Sequence, residues 1–347
     1  MNLEIGSYAF NGCKGITTFE IPTGVTSIES YAFSGCKTIV VRDLTPAVIK
    51  EDAFDSDALI YVPTSVYGEY TSADVWKGYN GLTCEDYDDM IIHSEAQSNS
   101  SGVLEKIGDT YVRALVNLKV VGSINSYDVI IWRDKTPTLR TLDLSECTVV
   151  ESDKNFYKTY HTQTDDLGEC AFSSLDKLRK VVLPKNLKAI RAYAFSSCSN
   201  LSEFEIPSTV KSIGSGAFQY CYSLNNLVIP EGVKRIEANT FESCKFKNIA
   251  LPKGLEYIGR YAFWSTNLTE VSFPPTLKTI DNNAFYQCSS LSEIRIPSSI
   301  QTIGSSAFSG CSNLLKVYTY TVEPTSISEN TFSSFDKATL YVPKQSY

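Results

Sequence analysis

Histidine is almost missing: there are 2 in 347 residues, His93 in an acidic, Ser-rich stretch and His161 in a polar insertion. Proton-transfer enzymes and transition-metal sites draw first on imidazole, so acid–base and metal chemistry have little to build on. No Gly-rich phosphate loop, G-x-S-x-G elbow or H-E-x-x-H pair occurs either, and the sequence is read as non-enzymatic, with no cofactor and no metal. Grouped basic residues are lacking too. Lys and Arg number 31 against 39 Asp and Glu, a net charge of −8, and they are scattered. Nucleic acid and anionic membrane, which are held by clustered cations, are thereby set aside as general partners. The longest apolar run, Ala58 to Val62, is far short of the roughly 20 residues that span a bilayer. No leader peptide is visible, because MNLEIGSYAF already lies inside a repeating unit; the start reads as a cut from something longer.

What fills the chain instead is one text, repeated. Ile190 to Ile213, IRAYAFSSCSNLSEFEIPSTVKSI, returns with light edits along most of the sequence. Aligning its Ala-Phe step puts Phe10, Phe33, Phe172, Phe195, Phe218, Phe241, Phe263, Phe285, Phe308 and Phe332 in one column, 22 to 24 residues apart within each array. A period in the twenties predicts a solenoid. Ala194, Phe195, Cys198 and Leu201 fall at i, i+1, i+4 and i+7, which predicts a short helix. The period then becomes two, with Phe204 and Ile206 to one side and Glu203 and Glu205 to the other, a strand of about four residues. Pro207 ends it, as do Pro22, Pro184, Pro230, Pro252, Pro274 and Pro297 in their own units, because proline has no N–H to give a ladder. Strands stack at about 4.8 Å and helices need about 8–10 Å, which predicts a curved α/β solenoid, its parallel sheet concave and its short helices or turns convex.

The pattern L-x-x-[FVIL]-x-[IL]-P-x-x-[LV]-x-x-I-x-x-x-A-F-x-x-C runs over roughly residues 1–40 and 139–335. It resembles the Treponema-type leucine-rich repeat of the BspA-like bacterial surface antigens. What the resemblance implies is an extracellular or cell-surface scaffold that binds proteins or glycans in adhesion or nutrient capture, without catalysis. Host matrix and plasma proteins such as fibronectin and fibrinogen are the partners associated with some members.

Three blocks follow in order. Residues 1–83 read as the closing coils of a first array and their cap, with Tyr70, Trp76 and Tyr79 suited to covering the last open coil. Residues 84–102, CEDYDDMIIHSEAQSNSSG, read as a linker. Residues 103–347 read as a second array. Its N-terminal cap region, 103–166, has SINSYDVIIWRDKTP covering the edge as helix or turn and Ser152 to Asp166 projecting as an insertion. Regular coils occupy 167–316, and a C-terminal cap over 317–347, cut short, repeats Tyr61-Val62-Pro63 as Tyr341-Val342-Pro343.

Seven of the ten cysteines, Cys13, Cys36, Cys198, Cys221, Cys244, Cys288 and Cys311, lie three residues after a column phenylalanine. With helices about 8–10 Å apart their Cα atoms would exceed the ~7 Å limit for a disulfide, so reduced, buried thiols are expected. Cys84, Cys147 and Cys170 stand outside the column and are the candidates for a reactive or bridged thiol.

Binding is expected on the outward strand positions, assigned to Lys180, Glu203, Glu205, Asn226, Asn248, Glu270, Glu293, Arg295 and Tyr318. Lys180 beside Glu203 and Glu293 beside Lys316 attract, whereas Glu270 beside Glu293 repels, which a sheet built only for stability could avoid. The plain alternative is a solvated sheet. Two readings come from other classes. Open coils at both ends could stack copies head to tail, a self-association that extends rather than closes. Tyr157, Tyr160 and His161 of the insertion, with Asp153, Asp165 or Asp166, could form a weak metal or hydrolase site, against the plainer reading of a hydrated loop.

Overall fold

A computed structural model describes residues 3–13, 19–22, 24–41, 43, 45–62, 67–84, 90–96, 100–103, 115–137, 139–321, 326–332 and 338–344. The chain divides into two compact units, Met1–Ile91 with Leu104–Leu118 and Ile92–Val103 with Lys119–Tyr347.

Both units are parallel-sheet solenoids in which most regular coils contribute two short strands and one turn. In the first unit Phe19–Ile21, Thr38–Val41, Leu59–Val62 and Leu82–Cys84 form a first ladder, and Leu3–Ile5, Val25–Ile28 and Val48–Ile49 a second. In the second unit the first ladder contains Asn117–Ile124, Thr141–Val149, Lys180–Val182 and Glu203–Phe204, then Glu270–Ser272, Glu293–Ile296, Lys316–Thr319 and Thr339–Tyr341. The strand Met90–Glu95, outermost in that sheet and in the second unit from Ile92 on, falls inside the stretch expected to be a linker. The second ladder joins Ala189–Ile190 to Ser212–Ile213, and separately Arg235–Ile236, Tyr257–Ile258, Thr279–Ile280 and Thr302–Ile303.

The Ala-Phe step is a turn and not the short helix that its spacing predicts. The residues two before and two after each column phenylalanine from Phe10 to Phe308 are left-handed, as at Tyr193 (φ 54°) and Ser197 (φ 63°), Asn239 (φ 59°) and Ser243 (φ 63°), or Tyr261 (φ 57°) and Ser265 (φ 58°). That alternation sends every second N–H along the solenoid axis instead of back to residue i−4. Tyr193, Phe195 and Ser197 donate to the Ser215, Ala217 and Gln219 carbonyls of the next coil at 2.9, 2.8 and 2.7 Å. Ala194, Ser196 and Cys198 close local turns on Arg191, Tyr193 and Phe195. The turns therefore stack at strand spacing, a third ladder. Column phenylalanine rings lie face to face with centroids 4.7 Å (Phe172–Phe195) to 5.7 Å (Phe218–Phe241) apart. From Phe172 to Phe308 they are fully buried, the core the repeat predicts.

The same spacing removes the distance argument for the cysteines. Coils about 5 Å apart lie within disulfide range, yet the described column thiols are free. From Cys198 on they point at the preceding coil: the Sγ of Cys198, Cys221, Cys244, Cys288 and Cys311 donates to the carbonyls of Phe172, Phe195, Phe218, Phe263 and Phe285 at 3.0 to 3.2 Å. Burial pushes the Cys198 thiol up to about 12, so it acts as a neutral filler. Cys147 is also free and buried, donating to the Val120 carbonyl at 3.0 Å, with its thiol pushed up to about 12 by burial. Cys170 is free and buried; Cys84 lies in the strand Leu82–Cys84, its side chain outside the described residues.

One junction differs from its neighbours. The first ladder stops at Glu203–Phe204 and resumes at Glu270–Ser272, with the bridge Val228↔Ala250 between, and Ser212–Ile213 is not paired with Arg235–Ile236. The turn ladder runs through unbroken, Gly216 to Ala238 at 2.8 Å and Phe218 to Thr240 at 2.9 Å. Among the described residues no helix is long and apolar enough to cross a membrane.

Candidate functional site

The strand alternation turns Val181, Phe204, Leu227, Val271, Ile294 and Val317 into the core and leaves their neighbours outward. The nine assigned residues do not form one site. Lys180, Glu203, Glu205 and Asn226 line a groove of about 710 Å³ beside the open junction. Lys180 Nζ pairs with Glu203 at 3.1 Å, on strands in register. The groove also has an apolar element, Val228, which is 74% exposed. The valine holds an outward strand position between buried Leu227 and Ile229, in a coil joined to the next by the single bridge to Ala250.

Glu293, Arg295 and Tyr318 form a second group. Arg295 stands opposite Tyr318 in the ladder, with its guanidinium 4.3 Å over the phenol ring. It pairs with Glu293 at 2.7 Å and donates to the Tyr320 hydroxyl at 3.0 Å. Tyr318 stacks in turn on Tyr341, centroids 4.4 Å apart and planes 13° from parallel. Glu270 does face Glu293, but Arg295 two residues along the same strand neutralises that carboxylate. Asn248 accepts from the Thr269 hydroxyl at 3.3 Å and, like Glu270, lies between the two groups. Sequence reasoning missed Tyr320 and Tyr341. The signals were present: Tyr320 is one strand period beyond Tyr318, and Tyr341 opens the echoed Tyr-Val-Pro.

The insertion is pinned and not a free projection. Phe156 and Thr162 are buried, and Thr162 binds back to the Ser126 hydroxyl through its N–H at 2.8 Å. Tyr157 and Tyr160 bridge each other, with rings 6.1 Å apart and Arg133 5.0 Å over Tyr157. A hydrogen bond to Glu169 raises the Tyr160 phenol. His161 faces a depression of about 250 Å³ shared with Asp166 and Arg191. Asp166 is already engaged, accepting from Arg191 Nε at 2.6 Å and Gly168 N–H at 2.9 Å, and Asp165 accepts from Asn186. No group of three or more His, Cys, Asp or Glu among the described residues could hold a metal ion.

The family described as BspA type leucine rich repeat region (6 copies) matches residues 2–67, 153–263 and 234–346. No curated protein sequence matches the chain. Among solved structures, a T. pallidum leucine-rich repeat protein is 29% identical over 42% of this chain and 71% of its own, with a TM-score of 0.39. A Bacteroides ovatus leucine-rich repeat protein is 19% identical over 99% and 88%, TM-score 0.38. The pneumococcal vaccine antigen PcpA is 18% identical over 97% and 81%, TM-score 0.35.

Proposed function

The chain belongs to the BspA-type leucine-rich repeat family, and from that premise we propose that it is a non-catalytic scaffold, displayed outside the cell, that recognises a protein or glycan through the outward face of its first ladder. The observation that carries this reading is the group around Arg295. Tyrosine and arginine are the side chains that concentrate binding energy at interfaces, because they bring large area at little cost in conformational freedom. Tyr320 and Tyr341 are 50% and 41% exposed beside an arginine already held in place by Glu293 and Tyr318. A partner would meet a pre-organised surface and lose little entropy in ordering it.

Biolayer interferometry on immobilised fibronectin and fibrinogen, the partners the resemblance implies, tests the reading. Tyr318→Ala and Arg295→Ala should each weaken binding about thirtyfold, the effect of losing roughly 2 kcal/mol at a hot spot. Glu203→Lys, at the rim of the other group, should change it less than about threefold. Equal binding by Tyr318→Ala and the parent would remove this face from consideration.

A further inference from the structure

The basic residues that lie scattered in the sequence are brought together on the second ladder. Lys188, Lys211 and Lys234 occupy the same position in three successive coils, Lys211 N–H bonding the Lys188 carbonyl at 2.9 Å. All three are exposed, and none has an ion-pair partner among the described residues. Elsewhere in this column charge is balanced, Lys278 pairing with Glu256 at 2.7 Å. Lys188 and Lys211, one rung apart, repel each other, and Lys234 across the open junction adds to the same positive stretch, so the row is unfavourable until something negative lies along it. The chain as a whole carries −8, which makes the concentration stand out against its surroundings.

Beside the row is a depression of about 550 Å³ with Arg191, Lys211, Lys234 and Arg235 around it. Its floor is made of small residues, Ser212 and Gly214. A Cβ at Gly214 would sit 2.5 Å from the Ala192 nitrogen, so close stacking of the coils itself keeps the floor bare. Three carboxylates belong to the same neighbourhood and are accounted for: Asp166 holds Arg191, Glu237 holds Arg235 at 2.9 Å, and Glu169 lies at the edge near Tyr160. A fourth, Glu256, follows Lys234 in the column, where it pairs with Lys278 at 2.7 Å and is also drawn on by the Lys234 charge, leaving Lys188 and Lys211 to act on solvent. The open junction lies at this same place. Lys211 bonds back to Lys188 and Glu256 back to Lys234, but the rung between Lys211 and Lys234 is not made, and neither is that between Ser212–Ile213 and Arg235–Ile236.

We propose that this second-ladder face binds an anionic glycan, its sulfate or carboxylate groups lying along Lys188, Lys211 and Lys234 with one of them seated over Ser212 and Gly214. Repeated charge on a stiff sugar chain matches cations repeated once per coil. A nucleic acid would want open aromatic faces, and the nearby Tyr257 ring is covered by the Arg235 guanidinium at 3.8 Å. An acidic peptide would want an apolar anchor, and none of the exposed large hydrophobic residues lies in the depression. The site is independent of the first-ladder reading and can fail without it.

The test is fluorescence anisotropy of a labelled heparin-derived hexasaccharide, and of a polygalacturonate oligomer of equal charge, with the full chain at about 50 and about 500 mM salt. Binding at low salt that fades at high salt is expected for at least one of them, and which one binds tells sulfate from carboxylate. Lys211→Glu and Lys234→Glu should each weaken it about tenfold or more, with melting temperature unchanged because both side chains are exposed. Lys177→Glu, the same charge change at a distant exposed lysine, should leave it unaltered. Bound sugar should also slow hydrogen exchange at the Lys234 and Glu237 amides. No binding at low salt, an equal loss in Lys177→Glu, or equal displacement by single-stranded DNA or polyglutamate would overturn the proposal. Loss in Arg295→Ala with none in Lys211→Glu would move glycan binding to the first ladder and overturn this site alone.

Discussion

The first unit closes its last coil with aromatic rings and the second opens its first coil with a buried carboxylate. In the first, Tyr70, Trp76 and Tyr79 cover the coil that contains Phe54, and each hands its one polar hydrogen to a different carbonyl. Tyr70 donates to Asp43 at 3.0 Å, Trp76 Nε1 to Ala47 at 2.7 Å and Tyr79 to Glu51 at 2.7 Å. The Tyr79 hydroxyl also accepts from Phe54 N–H at 3.3 Å, standing where the next coil's alanine carbonyl would be. In the second unit Asp128, fully buried in the helix Ser126–Ile130, accepts from the Ser101 hydroxyl at 2.6 Å, Val103 N–H at 3.1 Å and Asn125 N–H at 3.0 Å. Trp132 then begins the ring column by stacking on Phe172, planes 10° apart. Either device meets the unpaired backbone of a solenoid end. They differ in how the work is shared: three rings divide it in one cap, and a single carboxylate concentrates it in the other.

That difference predicts unequal tolerance. Asp128→Ala should cost roughly 3–5 kcal/mol, because three buried donors lose their acceptor at once and the helix loses its capping box. Trp76→Phe should cost about 2 kcal/mol: most of the ring stays, while the Ala47 carbonyl loses its donor and a small cavity opens. Guanidinium denaturation followed by Trp132 fluorescence reads the first variant, and denaturant-dependent hydrogen exchange at the first unit's amides, Phe33 and Phe54 among them, reads the second. Equal costs, or a larger one at Trp76, would break the contrast between a shared and a concentrated cap.

The aromatic cap was legible in the sequence because Tyr70, Trp76 and Tyr79 are conspicuous where the repeat decays. The polar cap was legible only as an element. SINSYDVIIWRDKTP reads as a covering helix or turn, but nothing local reveals that Asp128 reaches Ser101 and Val103, 27 and 25 residues away. The solenoid, the buried phenylalanine column and the strand register could be read from period alone. The turn could not, because a spacing of i, i+1, i+4 and i+7 is shared by a helix and by a turn with left-handed residues four apart, and it takes stacking to choose the latter. Tyr8, Tyr31, Tyr193 and Tyr261 carry that strain at φ near 60° without glycine, each held by turn-ladder bonds to its neighbour. The lysine row was hidden for the same reason. Residues 23 apart look dispersed until the coil length is treated as a distance of one rung.

The smallest expected effect sharpens the contrast most. Tyr79→Phe keeps the ring, which packs edge-on to Phe54 at 5.3 Å, and removes only the hydroxyl. The bond accepted from the buried Phe54 N–H goes with it, as does the hydrogen shared between the Glu51 and Lys50 carbonyls at 2.7 and 3.4 Å, and water can replace part of the loss at the part-buried Glu51 carbonyl. The cost should be about 1 kcal/mol, with little change in the denaturation midpoint but faster hydrogen exchange at the Phe54 amide. Tyr70 and Trp76 remain to hold the Asp43 and Ala47 carbonyls, so the rest of the cap should exchange at its original rate. A global loss matching that of Asp128→Ala would mean the three rings act as one cooperative plug, and the division of work among them would be wrong.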